Sequence, residues 1–199
     1  MPFIYLASQS PRRRQLLEQL GVAYELLLPG EDEDAESLEM VLPREAPKTY
    51  VQRVTQLKLD AALARMKRRK LPAAPILCSD TTVALGREIL CKPQDAADAQ
   101  RMLRTLSGQT HRVMTAVAIG SARKRVQALS TSQVRFAPLT QAQIQKYVAS
   151  GEPMGKAGAY AVQGAAAGLI EHMSGSYSGI MGLPMFETAQ LLRELGFKL

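Results

Sequence analysis

Near the start of the chain, Ser8-Gln9-Ser10-Pro11-Arg12-Arg13-Arg14 brings two hydroxyls, a proline and three guanidinium groups together. Ser10 suits a helix N-cap, and Pro11 suits the first helical position, where its missing N–H would have had no partner. Three arginines in a first turn oppose the helix dipole, at a cost of about 0.3–1 kcal/mol each on an exposed site. An anion bound there removes the conflict. Free backbone N–H groups, the serine hydroxyls and the forks of Arg12 and Arg13 would together grip a polyphosphate. The plain alternative is an arginine cluster turned to solvent, and the spacing leaves both open. Arg14 is assigned to solvent.

A second candidate is Ser79-Asp80-Thr81, directly after the apolar run Ile76-Leu77-Cys78. Ligands of open α/β sheets gather beyond the carboxyl ends of strands, so a carboxylate there is a site candidate. From the fragment alone, an ordinary turn or capping aspartate is the more common reading. Lys58 falls in line with Val51, Val54 and Ala61 on the apolar stripe of a helix, a placement that snorkelling commonly explains. Lys92 precedes Pro93 in a loop. Glu31-Asp32-Glu33-Asp34 reads first as a solvated charge run. Gly151-Glu152-Pro153-Met154-Gly155-Lys156-Ala157 imitates a Walker A loop but is one residue short between its glycines. It also has Ala157 where a metal-binding hydroxyl belongs, and no strong strand precedes it, so it is rejected as a P-loop.

The elements that must position these residues alternate between strand and helix. The pattern gives a strand at 4–7, a helix from Pro11 stopped by Gly21, and a strand at 23–28. An acidic, irregular stretch runs from Glu31 to Pro47. A long helix over 49–70 then carries Val51, Val54, Leu57 and Ala61 as its stripe. Strand signals follow at 76–78, 83–85 and 88–90, and a helix at 95–106 stopped by Ser107-Gly108. Val113–Ile119 and Val126–Phe136 read as longer antiparallel strands. Thr140 and Gln143 have capping-box spacing for a helix to about Ser150, and a closing helix covers 185–195. Residues 151–168 carry few periodic signals. The expected class is α/β, a mixed sheet flanked by helices, parallel early and antiparallel late, in a single domain over 1–199.

Composition narrows the function. The chain has 199 residues, 46% of them apolar and 22% charged, an ordinary globular balance. No apolar run approaches the roughly 20 residues of a membrane span, and no signal peptide opens the chain, so a cytoplasmic protein without a membrane partner is expected. Two cysteines and two histidines, without close pairs, argue against a zinc site and a disulfide framework. Any metal would be a hard cation held by carboxylates and phosphate oxygens. A net charge of +7 favours anionic partners, but an aromatic content of 5% does not suit nucleic acid. The basic run Arg65–Lys70 reads as a solvated helix end.

Taken in order, these fragments resemble the Maf family of nucleoside triphosphate pyrophosphatases. The matching motifs are Leu6-Ala7-Ser8-x-Ser10-Pro11-Arg12-Arg13, Glu33, Lys58, Ser79-Asp80-Thr81, Lys92-Pro93 and Leu106-Ser107-Gly108-x-x-His111-x-Val113-x-Thr115. Tyr147-x-x-x-Gly151-Glu152-Pro153, Lys156-Ala157-Gly158-Ala159-Tyr160-x-x-Gln163-Gly164, Gly175-Ser176-Tyr177 and Gly182-Leu183-Pro184 continue them across nearly the whole chain. The resemblance implies a fold similar to inosine triphosphate pyrophosphatases, with a cleft between two lobes, and divalent-metal-dependent hydrolysis (Mg2+ or Mn2+) to the monophosphate and pyrophosphate. It implies Asp80 as catalytic base and metal ligand, and Glu33 as its acidic partner at the metal, with Glu31 and Asp32 as alternatives. Ser8, Arg12, Arg13, Lys58 and Lys92 would hold the triphosphate. Arg13, Thr81 and Gln163 occupy positions linked to base choice, and the Ala-Tyr-x-x-Gln form resembles the branch acting on dTTP and UTP. The alternatives are the 7-methyl-GTP branch and a non-catalytic nucleotide-binding division regulator. A homodimer is a further expectation. The stretch from Pro29 to Thr49 is longer and more acidic than the family pattern.

Overall fold

The computed structural model describes residues 3–31, 33–35 and 37–199; Asp32 lies outside them. In chain order the elements are β1 (Ile4–Leu6), α1 (Pro11–Gln19), β2 (Tyr24–Leu26), α2 (Pro47–Arg68), β3 (Ile76–Leu85), β4 (Glu88–Leu90) and α3 (Ala96–Leu106). Then follow β5 (Thr110–Gly120), β6 (Arg125–Phe136), α4 (Gln141–Ala149), β7 (Ile170–Ser174), α5 (Tyr177–Met181) and α6 (Met185–Glu194). The strands form one seven-stranded mixed sheet in the order β2-β1-β3-β5-β6-β7, with β4 also paired to β3. β1 runs parallel to β2 and β3, and the later pairs are antiparallel. Among the described residues, no helix is long and apolar enough to cross a membrane.

The expected class is therefore the observed one, and the instructive difference lies in β3. The sequence suggests a strand ending at Cys78 with Asp80 just beyond it; instead one strand of ten residues carries Asp80 in its middle. β5 pairs with β3 from Ile76 to Ala84, so those residues are strand whatever happens on the other edge. On that other edge β1 reaches only as far as Leu77, and β4 begins only at Val83. Between them β3 has an open edge, and Asp80 lies in this gap. The rule that ligands gather past strand ends still applies, but the strand that ends is β1.

Side chains of β3 alternate between two faces. Leu77 and Val83 join the larger core with Leu16 and Leu17 of α1, Leu103 of α3, Ile144 of α4 and Leu192 of α6. Ile76, Cys78 and Ala84 face the other way, into clusters shared with Val51, Val54, Leu59 and Ala62 of α2. Asp80, being even-numbered, shares the α2 side. The buried face of α2 differs from the expected stripe: Leu59 and Ala62 are fully buried, whereas Leu57 and Ala61 are only half-buried. The buried stripe continues to Arg65. That residue is 4% exposed, so Arg65–Lys70 is not wholly the solvated run that its composition suggests.

Local signals act where expected. The capping box at Thr140 and Gln143 is formed in both directions, and the Asp95 side chain caps α3 through the Asp98 N–H. Residues 151–154 follow α4 rather than a strand, consistent with rejecting a P-loop. Strand β7 and helix α5 have no counterpart in the periodicity. β7 is an edge strand with Glu171, His172 and Met173 exposed, so its conformation is set by pairing with β6 and not by an apolar alternation.

Candidate active site

Past Leu6 the chain leaves β1 and enters α1, and this connection faces the open edge of β3. Ser10 occupies the N-cap position without a side-chain cap bond; it is the Ser8 Oγ that accepts from the Ser10 N–H. The first turn of α1 thus keeps free N–H groups beside its arginines. A cleft of about 1340 Å3 opens here, lined by Ser8, Arg12, Arg13, Lys58, Asp80, Thr81, Lys92 and Gln163, among others. Every site residue expected from the sequence and described here reaches it, Glu33 included. Arg14 is not part of the lining. The volume exceeds a common drug-sized pocket and has room for a nucleotide with its phosphates.

On the α2 side of β3, carboxylates and ammonium groups alternate. Asp80, 7% exposed, accepts at Oδ1 from Lys58 Nζ at 2.6 Å. The same nitrogen donates to Glu39 Oε1 at 2.7 Å, and Glu39 Oε2 accepts from Lys92 Nζ at 2.6 Å. Lys58 therefore does not snorkel: its stem lies on α2 while its head is taken by two acids. Burial alone would lower the Lys58 ammonium, but Asp80 and Glu39 outweigh it and hold it above its ordinary value. Glu39 behaves conversely. Burial would raise its carboxyl, yet the two lysines keep it low.

On the opposite face of β3, hydroxyls bind backbone. Ser79 Oγ donates to the carbonyls of Ala116 and Gly182, and Thr81 Oγ1 meets Thr115 Oγ1, which donates to the Gly179 carbonyl at 2.7 Å. Arg13 ties this face to the α1 turn: its Nε donates to the Gly182 carbonyl at 2.7 Å, and its two terminal nitrogens reach Ser8 Oγ and Thr81 Oγ1 at 3.3 Å. Burial pushes the Arg13 guanidinium down, with Asp80 opposing the shift. Arg12 Nε donates to the neighbouring carbonyl of Met181. Gly182 has φ +125°, and a Cβ there would lie 3.5 Å from Arg13 Nε and 3.6 Å from Thr81 Oγ1. Only glycine holds that conformation without strain while its carbonyl takes both donors.

Gln163 is exposed at the rim, in a turn held from below. Tyr160 just before it bonds the His111 Nε2 at 2.8 Å, and Phe136 packs edge-on against both rings. Burial pushes His111 down to about 4, so it is a neutral support for this wall near neutral pH. Tyr147 Oη donates to Glu152 Oε1 and accepts from the Ala161 N–H, and Glu152 Oε2 accepts from the Ala165 N–H. These bonds bracket the turn. A Cβ on Gly164 would meet the Glu152 carboxylate at 2.3 Å, so a larger residue there would displace the carboxylate that Tyr147 and the Ala165 N–H hold.

Glu33 has a different setting. Arg65 grips both its oxygens at 2.7–2.9 Å, Arg68 adds a bond at 2.6 Å, and the Gly30 N–H adds another. Hydrogen bonds from Arg65 lead in lowering its carboxyl to about 2. The acid that the structure connects to Asp80, through Lys58, is Glu39. Glu39 and Arg65 are the two residues that sequence reasoning missed. Glu39 is one acid among several in an aperiodic stretch and carries no signal of its own. Arg65 did carry one, three residues beyond the buried Ala62 on the same helix face. Among the described residues, no group of three or more His, Cys, Asp or Glu side chains forms a metal cluster.

Comparisons with known proteins bear on the family. The family described as Maf-like protein matches residues 3–195. A dTTP/UTP pyrophosphatase of Albidiferax ferrireducens is 74% identical, over 98% of this chain and 98% of its own. A dTTP/UTP pyrophosphatase of Polaromonas is 69% identical, over 99% of this chain and 98% of its own. One from Cupriavidus pinatubonensis is 64% identical, over 96% of both. Among solved structures, the Staphylococcus aureus Ham1 protein superposes with a TM-score of 0.42 at 11% identity, covering 67% of this chain and 71% of that one. The chain belongs to the Maf family.

Proposed function

We propose that this Maf-family chain hydrolyses dTTP and UTP to the nucleoside monophosphate and pyrophosphate. The observation that carries the reading is the open edge of β3, where a mid-strand carboxylate, Asp80, faces a cleft with Arg12, Arg13, Lys58 and Lys92 on its walls. High identity to proteins named dTTP/UTP pyrophosphatase over nearly the full chain supports the same substrates.

In this reading the triphosphate lies along the cationic wall, with Ser8 and the first-turn N–H groups of α1 as further donors. Water attacks the α-phosphorus in line, and the bond to the bridging oxygen of the leaving pyrophosphate breaks. Asp80 accepts the proton of the attacking water, its Oδ1 oriented by Lys58. Arg12, Arg13 and Lys92 offset the charge that gathers on pyrophosphate. Arg13 and Thr81, already bonded to each other, and Gln163 on the facing rim would read the base. A Gln amide offers one donor and one acceptor, matching the edge of uracil or thymine.

The donors present fit a hard divalent cation, Mg2+ or Mn2+. Such ions in phosphate sites take one or two carboxylates and complete their shells with phosphate oxygens and water. Asp80 would hold it, and when bound it would neutralise phosphate oxygens. Glu33 is not carried into this assignment, because Arg65 and Arg68 take its oxygens.

The test is pyrophosphate release from dTTP, UTP, 5-methyl-UTP, CTP, ATP and 7-methyl-GTP, with and without Mg2+ or Mn2+. Metal-dependent cleavage of the uracil and thymine nucleotides is expected. Cleavage confined to 7-methyl-GTP would refute the base assignment, and nucleotide binding without cleavage would refute the enzyme.

A further inference from the structure

Lys58 and Lys92 are the two lysines read above as holding the triphosphate, yet in this structure one carboxylate bridges them. Glu39 spends one oxygen on each ammonium, at 2.7 Å and 2.6 Å. Two anionic oxygens of one group set between two cations is the arrangement that a phosphate would make. Glu39 closes a single helical turn, Ser37–Glu39, inside the long acidic stretch. That turn is fastened to α2 by hydrogen bonds of modest number: Tyr50 Oη donates to the Glu39 carbonyl and Arg53 to the Met40 carbonyl. Beyond it, Met40, Val41 and Leu42 are exposed.

We infer that Glu39 is an internal stand-in for phosphate, which occupies the polyphosphate subsite and sets a threshold that only ligands with several phosphates overcome. The inference rests on the reading of the cleft as a triphosphate site. To bind, a ligand must exchange its own oxygens for those of Glu39 on both lysines. A single phosphate offers little more than the carboxylate it displaces. A triphosphate, or pyrophosphate, reaches both lysines with several charges and still has oxygens left for Arg12 and Arg13. The residue therefore weakens every phosphate ligand by one displacement cost, which a triphosphate overcomes and a single phosphate does not. It also keeps Lys58 and Lys92 from facing each other uncompensated while the cleft is free.

The experiment is calorimetric titration of pyrophosphate and of orthophosphate into the wild-type protein and Glu39→Gln, paired with hydrogen exchange over residues 37–42. Both pairs are partly exposed, so removing the internal anion tightens pyrophosphate about fivefold to tenfold. Orthophosphate must displace the same carboxylate, so it gains by a similar factor and becomes measurable where the wild type binds it weakly. In the wild type, pyrophosphate speeds exchange at 37–42, because the turn is released. Glu39→Asp, too short to span both lysines, moves in the same direction and guards against an effect peculiar to Gln. Unchanged or weaker pyrophosphate binding in Glu39→Gln overturns the inference. So does tighter binding without faster exchange in the wild type, which reports only a change of net charge. Pyrophosphate binding to neither protein removes the polyphosphate reading of the cleft itself, and this inference with it.

Discussion

The two ends of the acidic stretch after β2 place a glutamate against α2 in opposite ways. Glu33 meets the C-terminal end of α2 through Arg65, whose planar fork binds both oxygens at once and which is itself buried. Glu39 meets the middle of the helix through Lys58, and a half-exposed Lys92 shares it. A guanidinium fork fixes a carboxylate in one plane, whereas ammonium groups are point charges that take any oxygen offered. The first pair is built to stay. The second is built to exchange, and it lies in the cleft with Asp80. An acid near a cleft is thus assigned by the cation it meets, and not by its distance along the chain from a motif.

The largest effect should come from the exchanging end. Asp80→Asn keeps the shape and removes the base, so kcat should fall by about 10^3-fold or more with thermal unfolding little changed. Steady-state pyrophosphate release beside a melting curve checks both halves. Near-normal turnover would break the distinction between the two ends.

The permanent end should answer in stability. Glu33→Gln strands a buried Arg65, and breaking a buried pair from one side costs about 3 kcal/mol or more. A urea midpoint well below that of the wild type is expected, with a far smaller effect on turnover than Asp80→Asn. The pH dependence sharpens this. The folded Glu33 titrates at about 2, below its ordinary 4.5, so its contribution is present above 4.5 and fades as pH falls toward 2. The gap between wild type and Glu33→Gln should be full at neutral pH and narrow through that window. A gap that widens on acidification would contradict the clamp.

Gln163 gives the smallest effect. It belongs to neither end, and its side chain adds about one hydrogen bond, roughly 1 kcal/mol. Gln163→Glu should cut kcat/KM for UTP and dTTP by about fivefold to tenfold and leave phosphate affinity nearly as it was. Competitive inhibition by pyrophosphate separates the two. A change in pyrophosphate inhibition as large as that in kcat/KM would mean that this turn supports the phosphates instead of the base.

Much of this was legible in the sequence. The fold class, the long antiparallel pair β5–β6 and the capped helices follow from periodicity and caps, because each is written in local spacing. The cationic turn of α1 was readable as an anion site from the conflict between its arginines and the helix dipole. What was not legible depended on partners distant in the chain. Asp80 reads as following a strand, since nothing near it says that β5 pairs alongside while β1 stops short. Glu33 and Glu39 are indistinguishable in an aperiodic acidic stretch, and only the facing Arg65 or Lys58 separates them. Lys58 itself looked like a snorkelling lysine, because a stripe position does not reveal that a carboxylate waits on the strand opposite.

The deciding experiment for Asp80 is pyrophosphate release from UTP and dTTP by the wild-type protein and Asp80→Asn, with divalent metal supplied and withheld. Brisk, metal-dependent release by the wild type and almost none by the variant are expected, while both bind the nucleotide. Equal release by the two proteins, or binding without release by the wild type, would contradict the assignment.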